Sequence, residues 1–229
     1  MNNLSERNTS TQLDLENVDT FVFDYGGVIS FHHCEPWQGN LAQLLKTSPK
    51  EVRSLLSETS IWGRAYRLGR MTREDFWRLI CDKTSAVDND IEALEYNWAN
   101  SYQIDVRMVR LMQELRDKAR VKVGILSNSD HYRHRHIEET YHLSQIVDFS
   151  VSSCQHGIVK PEKEAYLKAL EIANRKDTPD KVLYIDDRER NVLPAIELGM
   201  KGFTFTDYES FRDAIAKKLR EKYELTTTL

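Results

Sequence analysis

Five short apolar segments, the last four joined by amphipathic helical patterns, restrict the folds open to this 229-residue chain. They are TFVFD (20–24), VKVGILSN (121–128), DFSVSS (148–153), KVLYIDD (181–187) and KGFTFT (201–206). All are rich in Val, Ile, Phe and Tyr, as buried strands are, and several end on a polar or acidic residue. Between them, 105–119 puts Met108, Leu111, Met112 and Leu115 on one helical face. The 163–174 segment turns Tyr166, Leu167, Leu170 and Ile172 or Ala173 inward, and 190–200 closes on Gly199, a helix C-terminal glycine. Residues 207–224 form a last amphipathic helix. Strand alternating with helix implies right-handed crossovers and a doubly wound, mostly parallel α/β sheet. Ligands in such sheets sit beyond the carboxyl ends of the strands. Asp24, Ser127 and the pair Asp186–Asp187 all fall at strand ends, so groups remote in sequence can meet in one crevice.

The interval between the first two strands is too long for a crossover. It carries the helical patterns NLAQLLK, PKEVRSLLSE, MTREDFWRLICDK and DIEALEYNWANSY, the third opened by Thr72 with Asp75 three residues on as a capping-box variant. We expect an inserted helical cap over 35–104, an α/β core over 18–34 and 105–229, and a flexible polar arm over 1–17. All four tryptophans, Trp37, Trp62, Trp77 and Trp98, lie in the insertion.

Hydrophobic residues at 40% and charged residues at 30% describe a soluble globular chain. A net charge of −4 argues against broad nucleic-acid binding, which needs a basic face, but leaves room for a small anion in a local positive pocket. Cys34, Cys81 and Cys154 are odd in number and far apart, which suggests neither a disulfide framework nor a zinc site. With a polar opening and no apolar run of about 18 residues, no secretion signal or membrane span is expected, and the location expected is cytoplasmic.

Four short stretches carry chemistry. Asp24 ends a strand and is followed by Gly26 and Gly27, where turning backbone amides can make an anion nest; an aspartate capping a turn is the alternative. Ser127 and Asn128 offer a hydroxyl and amides for a phosphate oxygen, or a helix N-cap. Lys160, just before Pro161, is either a solvated charge or a phosphate neutraliser. Asp186 and Asp187 follow four apolar residues, and burying both requires a divalent cation, several hydrogen bonds, or ion pairs with Arg188 or Arg190.

The order and spacing of FDYGGVIS, GILSNSD, GIVKPEKEAY and YIDDRERNVLPAIELGM resemble the four motifs of the haloacid dehalogenase (HAD) superfamily, over about Thr20 to Phe205. The insertion site resembles that of its helical-cap subclass, in particular a bacterial branch related to sugar-phosphate phosphatases. The resemblance implies a Rossmann-like core and a Mg²⁺-dependent phosphatase acting on a small phosphorylated substrate. Asp24 would be the nucleophile, forming an aspartyl-phosphate, and also a metal ligand. Gly26 would give its carbonyl to the metal, Asp187 its carboxylate, and Asp186 would hold metal-bound water, with Asn191 supporting this shell. Ser127 and Lys160 would bind the phosphoryl group, helped by amides near Gly27 and Asn128.

The sequence departs from the phosphatase pattern at Gly26, where the common form has a second aspartate as general acid. That loss, about 10² to 10⁴ in rate, weighs most on poor leaving groups. Two alternatives follow: a catalytically impaired HAD-fold protein that binds a phosphorylated ligand or partner, and a metal-independent 2-haloacid dehalogenase. The intact Asp186–Asp187 pair argues against the dehalogenase. For substrate contacts the candidates are His32 and His33, at the mouth of the insertion, with Trp62 and Tyr66 inside it. One of Arg64, Arg67 and Arg70 could reach a second anionic group, and His131 could substitute as proton donor.

Overall fold

Thr20 to Phe23 form a fully buried strand, β1, which lies at the centre of the sheet. The structure is a computed structural model describing residues 13, 15–32, 36–84, 86, 90–100 and 102–223. After β1 come β2 (Ser30–His32), α1 (Pro36–Leu44), α2 (Pro49–Leu56), α3 (Ile61–Arg67), α4 (Arg73–Asp82), α5 (Ile91–Ala99) and β3 (Tyr102–Ile104). Then follow α6 (Val106–Asp117), β4 (Lys122–Ser127), α7 (His131–Tyr141), β5 (Phe149–Ser152), α8 (Ser153–His156) and α9 (Lys163–Ile172). The chain closes with β6 (Val182–Asp186), α10 (Glu189–Glu197), β7 (Lys201–Thr204) and α11 (Tyr208–Tyr223).

The sheet order is β5-β4-β1-β6-β7, and every pairing is parallel. Alternation along β1 divides the apolar interior in two. Phe21 and Phe23 face one layer with Met108, Leu111, Met112 and Leu115 of α6 and Phe211 and Ile215 of α11. Val22 faces the other with Ala165, Tyr166, Ala169 and Leu170 of α9 and Ala195 of α10. Helices on both faces make the fold doubly wound, as expected. Phe23 pairs with Ile125 and Ile185, which brings Asp24, Ser127 and Asp186 to one edge.

Strands β2 and β3 carry no signal in the sequence. They pair antiparallel, Ser30 opposite Ile104, at the two points where the chain leaves and rejoins the α/β sheet, so the five helices α1–α5 stand on a two-stranded stalk. Strands of three residues are too short to show alternation. Within the insert, Ser48, Ser60, Thr72 and Asp90 cap their helices, Thr72 Oγ1 accepting from Asp75 N–H at 3.1 Å. An aromatic interior joins them: Tyr66 stacks on Phe76 with centroids 4.1 Å apart, and Trp77 meets Trp98 edge-on at 5.8 Å.

One boundary and one helix face differ from expectation. Leu15 is buried in the core, so the expected arm over 1–17 is too long at its C-terminal end. In α9, Leu167 and Ile172 point outward while Ala165 and Ala169, with Ala173 just past the helix, face the sheet, because small side chains let the helix lie close to the strands. Gly199 has φ +87°, the left-handed conformation of a helix C-terminal glycine.

Candidate active site

The carboxyl edge of the sheet gathers three aspartates around one lysine. Ligand atoms of Asp24, Asp186 and Asp187 lie within 4.8 Å of one another. Lys160 Nζ sits between two of them, 2.7 Å from Asp24 Oδ1 and 2.8 Å from Asp186 Oδ2, with its side chain 1% exposed. Asp24 Oδ1 also accepts the Tyr25 N–H at 2.6 Å, and no described residue hydrogen-bonds to Oδ2.

The two adjacent aspartates differ sharply. Asp186 is fully buried, and its lone pairs are filled by Lys160, Tyr184 Oη (2.5 Å), the Arg188 N–H (3.0 Å) and Asn191 Nδ2 (2.9 and 3.1 Å). Asn191 is held in turn by Tyr166, whose hydroxyl donates to its carbonyl at 2.7 Å. Asp187 is half-buried, and its Oδ1 is buried without a hydrogen-bond partner. A lone buried carboxylate oxygen beside two further carboxylates fits a hard divalent cation. Gly27 leaves room for the Asp187 side chain: at φ +90°, a Cβ there would lie 2.5 Å from Asp187 Cγ and Oδ2.

The charges follow from this geometry. Burial pushes the Asp24 carboxyl up to about 8, against the pull of Lys160 and with the push of Asp186 and Asp187. Burial also raises Asp187, against Arg188. For Asp186, burial is outweighed by Lys160, Tyr184 and the Arg188 amide, and its carboxyl stays below the usual range. Lys160 is raised, because Asp24 and Asp186 outweigh its burial. Three carboxyl groups crowd one ammonium, so the last to ionise, Asp24, keeps its proton up to about 8.

Several expected site residues stand differently. Gly27 was expected to offer an amide to phosphate, but its N–H donates to Ser30 O at 2.8 Å; what it supplies is the missing side chain. Both ends of the Asn128 carboxamide meet Lys160 backbone, Oδ1 taking the Lys160 N–H at 2.9 Å and Nδ2 reaching Lys160 O at 3.0 Å, so this side chain positions the lysine loop. The Ser127 hydroxyl lines the cavity with no hydrogen-bond partner among the described residues.

Trp62 and Tyr66 do not line the cavity. The Tyr66 hydroxyl donates to Glu95 at 2.9 Å within the aromatic interior, and Trp62 packs against the core with Lys83 over its ring. His131 is exposed and also lies outside the cavity lining. Cys34, His33 and the His32 and Trp37 side chains fall outside the described residues. In their place, Gln38, Arg53, Glu58, Arg67 and Trp98 of the insert line a cavity of about 480 Å³ with Arg133, Arg188 and Arg190.

Glu58, between α2 and α3, ion-pairs with both Arg188 and Arg190 and accepts from Asn128 Nδ2 at 3.2 Å. Arg188, Arg67, Asn128 and Arg190 together outweigh its burial and hold it below the usual carboxylate range. The ion pairs considered for Asp186 and Asp187 go instead to Glu58; Arg188 approaches Asp187 only at 3.9 Å. Nothing local in the sequence marks Glu58, since its partners lie 130 and 132 residues away.

A family model described as haloacid dehalogenase-like hydrolase matches residues 18–199, which include all three aspartates and Lys160. The chain belongs to the haloacid dehalogenase-like hydrolases. Among curated proteins, this hydrolase is similar to bifunctional epoxide hydrolase 2 of Rattus norvegicus, 36% identical over 86 residues; the match covers 38% of the chain but only 14% of that relative. The sesquiterpene phosphatase astK of Aspergillus oryzae is 23% identical over 81% of the chain and 89% of its own length. A HAD family enzyme of Bacteroides thetaiotaomicron, solved in complex with magnesium and inorganic phosphate, shares the fold with a TM-score of 0.72 at 20% identity, over 85% of this hydrolase and 98% of that chain. No helix among the described residues is long and apolar enough to cross a membrane.

Proposed function

We propose that this hydrolase is a Mg²⁺-dependent phosphatase of a small phosphorylated metabolite, working through an aspartyl-phosphate on Asp24. The observation that carries the reading is the triad of Asp24, Asp186 and Asp187 with a buried, unpartnered Asp187 Oδ1. The magnesium complex of the Bacteroides enzyme and the phosphatase name of the Aspergillus relative support it. Asp24, Asp187 and the Gly26 carbonyl would hold the ion. Bound there, Mg²⁺ would supply positive charge to offset the repulsion between Asp24 and a phosphate dianion.

The remaining steps belong to the chain's own residues. Lys160 and the Tyr25 N–H hold Asp24 Oδ1, which leaves Oδ2 to attack phosphorus. Lys160 and the Ser127 hydroxyl would bind the transferred oxygens, and the Asn128 carboxamide keeps the lysine loop in reach. Asp186, saturated by hydrogen bonds, fixes Lys160. Helices α1–α5 act as a cap that excludes water over residues 35–104.

With glycine at 26 and Glu58 held anionic, neither position supplies a leaving-group proton. Substrates with stable leaving groups, such as anomeric sugar phosphates, are therefore favoured. The test is hydrolysis of p-nitrophenyl phosphate, whose leaving group needs no proton. Turnover with Mg²⁺ that disappears in Asp24→Asn or on chelation is expected. Equal background in both proteins refutes the enzyme reading and leaves a phosphate-binding protein; halide release from a 2-haloacid without metal identifies a dehalogenase.

A further inference from the structure

The cavity in front of Asp24 is lined by more cationic groups than one phosphoryl group requires. Five arginines and Lys160 line it, against the carboxylates of Asp24 and Glu58. Lys160 is committed to Asp24 and Asp186, and Arg133 ion-pairs with Asp130. Arg188 and Arg190 share the single carboxylate of Glu58. Arg53 donates to the neutral Gln38 Oε1 at 2.9 Å and has no ion pair among the described residues.

Guanidinium groups gathered in a concave site match a carboxylate or phosphate through paired donors. At about 480 Å³ the cavity is in the range of small-ligand sites and much larger than a phosphate ion needs. The arginines in question lie on both sides of it, Arg53 on α2 of the insert and Arg188 and Arg190 beside the Asp186–Asp187 turn.

We propose that this cavity takes a phosphate ester carrying a second anionic group on its leaving group, bound by Arg53, Arg188 and Arg190. This rests on the phosphatase reading for which end of the ligand faces Asp24, but not on turnover. Glu58 occupies part of the second anion's place and competes with it for the two core arginines. The apparent specificity then arises from charge: a neutral leaving group gives Arg53 no anionic partner.

The test compares phenylphosphonate with 3-carboxyphenylphosphonate, neither of which can be hydrolysed, by titration calorimetry on the full chain with Mg²⁺. The carboxylated ligand is expected to bind about tenfold more tightly, the scale of one charge-assisted contact. Arg53→Gln should reduce that ratio and Glu58→Gln should raise it, since the second change removes the internal competitor. Ratios within about twofold in the parent, or unmoved by both variants, overturn the proposal. A retained ratio in a protein that hydrolyses no phosphate ester supports the second anion subsite while overturning the phosphatase reading.

Discussion

Replacing Lys160 by Met tests the electrostatic arrangement of the site. The ammonium is 2.7 Å from Asp24 and 2.8 Å from Asp186, in a side chain 1% exposed. Methionine roughly preserves volume, so the change removes charge and leaves packing nearly intact. Two carboxylates then lose their cation without reaching water. Removing one partner of a buried pair costs about 3–5 kcal/mol. In a domain of this size 1 kcal/mol shifts the melting temperature by about 2–4 °C, so a fall of about 6–20 °C is expected without magnesium. The loss depends on pH with a definite sign. Burial raises Asp24 from 3.8 in the unfolded chain to about 8 in the fold, so the folded state keeps its proton longer and stability falls as pH rises between those values. Without Lys160 the Asp24 pKa rises further, which carries the fall beyond pH 8, and Asp186, no longer held low by the ammonium, adds a fall of its own as pH rises above its unfolded value. The deficit of Lys160→Met should therefore be smaller at pH 5 than at pH 8, and adding Asp24→Asn should recover part of it. Scanning calorimetry at both pH values reads this out. A variant that melts within about 2 °C of the parent at pH 8, or a deficit larger at pH 5, refutes the reasoning.

Two further tests address the cation. Gly27→Ala forces a Cβ to within 2.5 Å of Asp187 Cγ and Oδ2 at φ +90°, so Asp187 must move; stability should fall by about 1–2 kcal/mol for the backbone alone, and calorimetric Mg²⁺ binding should be lost, whereas unchanged affinity would show that Asp187 is no ligand. Because Asp24 sits at about 8 with no cation present, Mg²⁺ must displace a proton below that pH; affinity should weaken about tenfold per unit from pH 8 to pH 6, with proton release seen in buffers of different ionisation enthalpy, and equal affinities across that range would contradict the raised Asp24.

The core was legible because its signals are local. Short continuous apolar runs mark the five strands, and helical periodicity between them implies parallel pairing. Strand ends then bring Asp24, Ser127 and Asp186 to one edge through a register that follows from burying both faces of β1. The insert was legible as helices but not as a surface. Tyr66 and Trp62 are aromatic in sequence whether they face ligand or neighbours, and packing against Phe76 and the core turned them inward. The stalk of β2 and β3 escaped because each strand is three residues long.

Side-chain order and spacing alone thus settled the doubly wound sheet and the acidic groups at the strand tips, since each depends on residues close in the chain. Tertiary packing decided the division of labour: Asp186 saturated and Asp187 left with a bare oxygen, Asn128 clamping the lysine loop, and Glu58 meeting Arg188 and Arg190. Those outcomes depend on distances between segments up to 132 residues apart, which no local periodicity encodes.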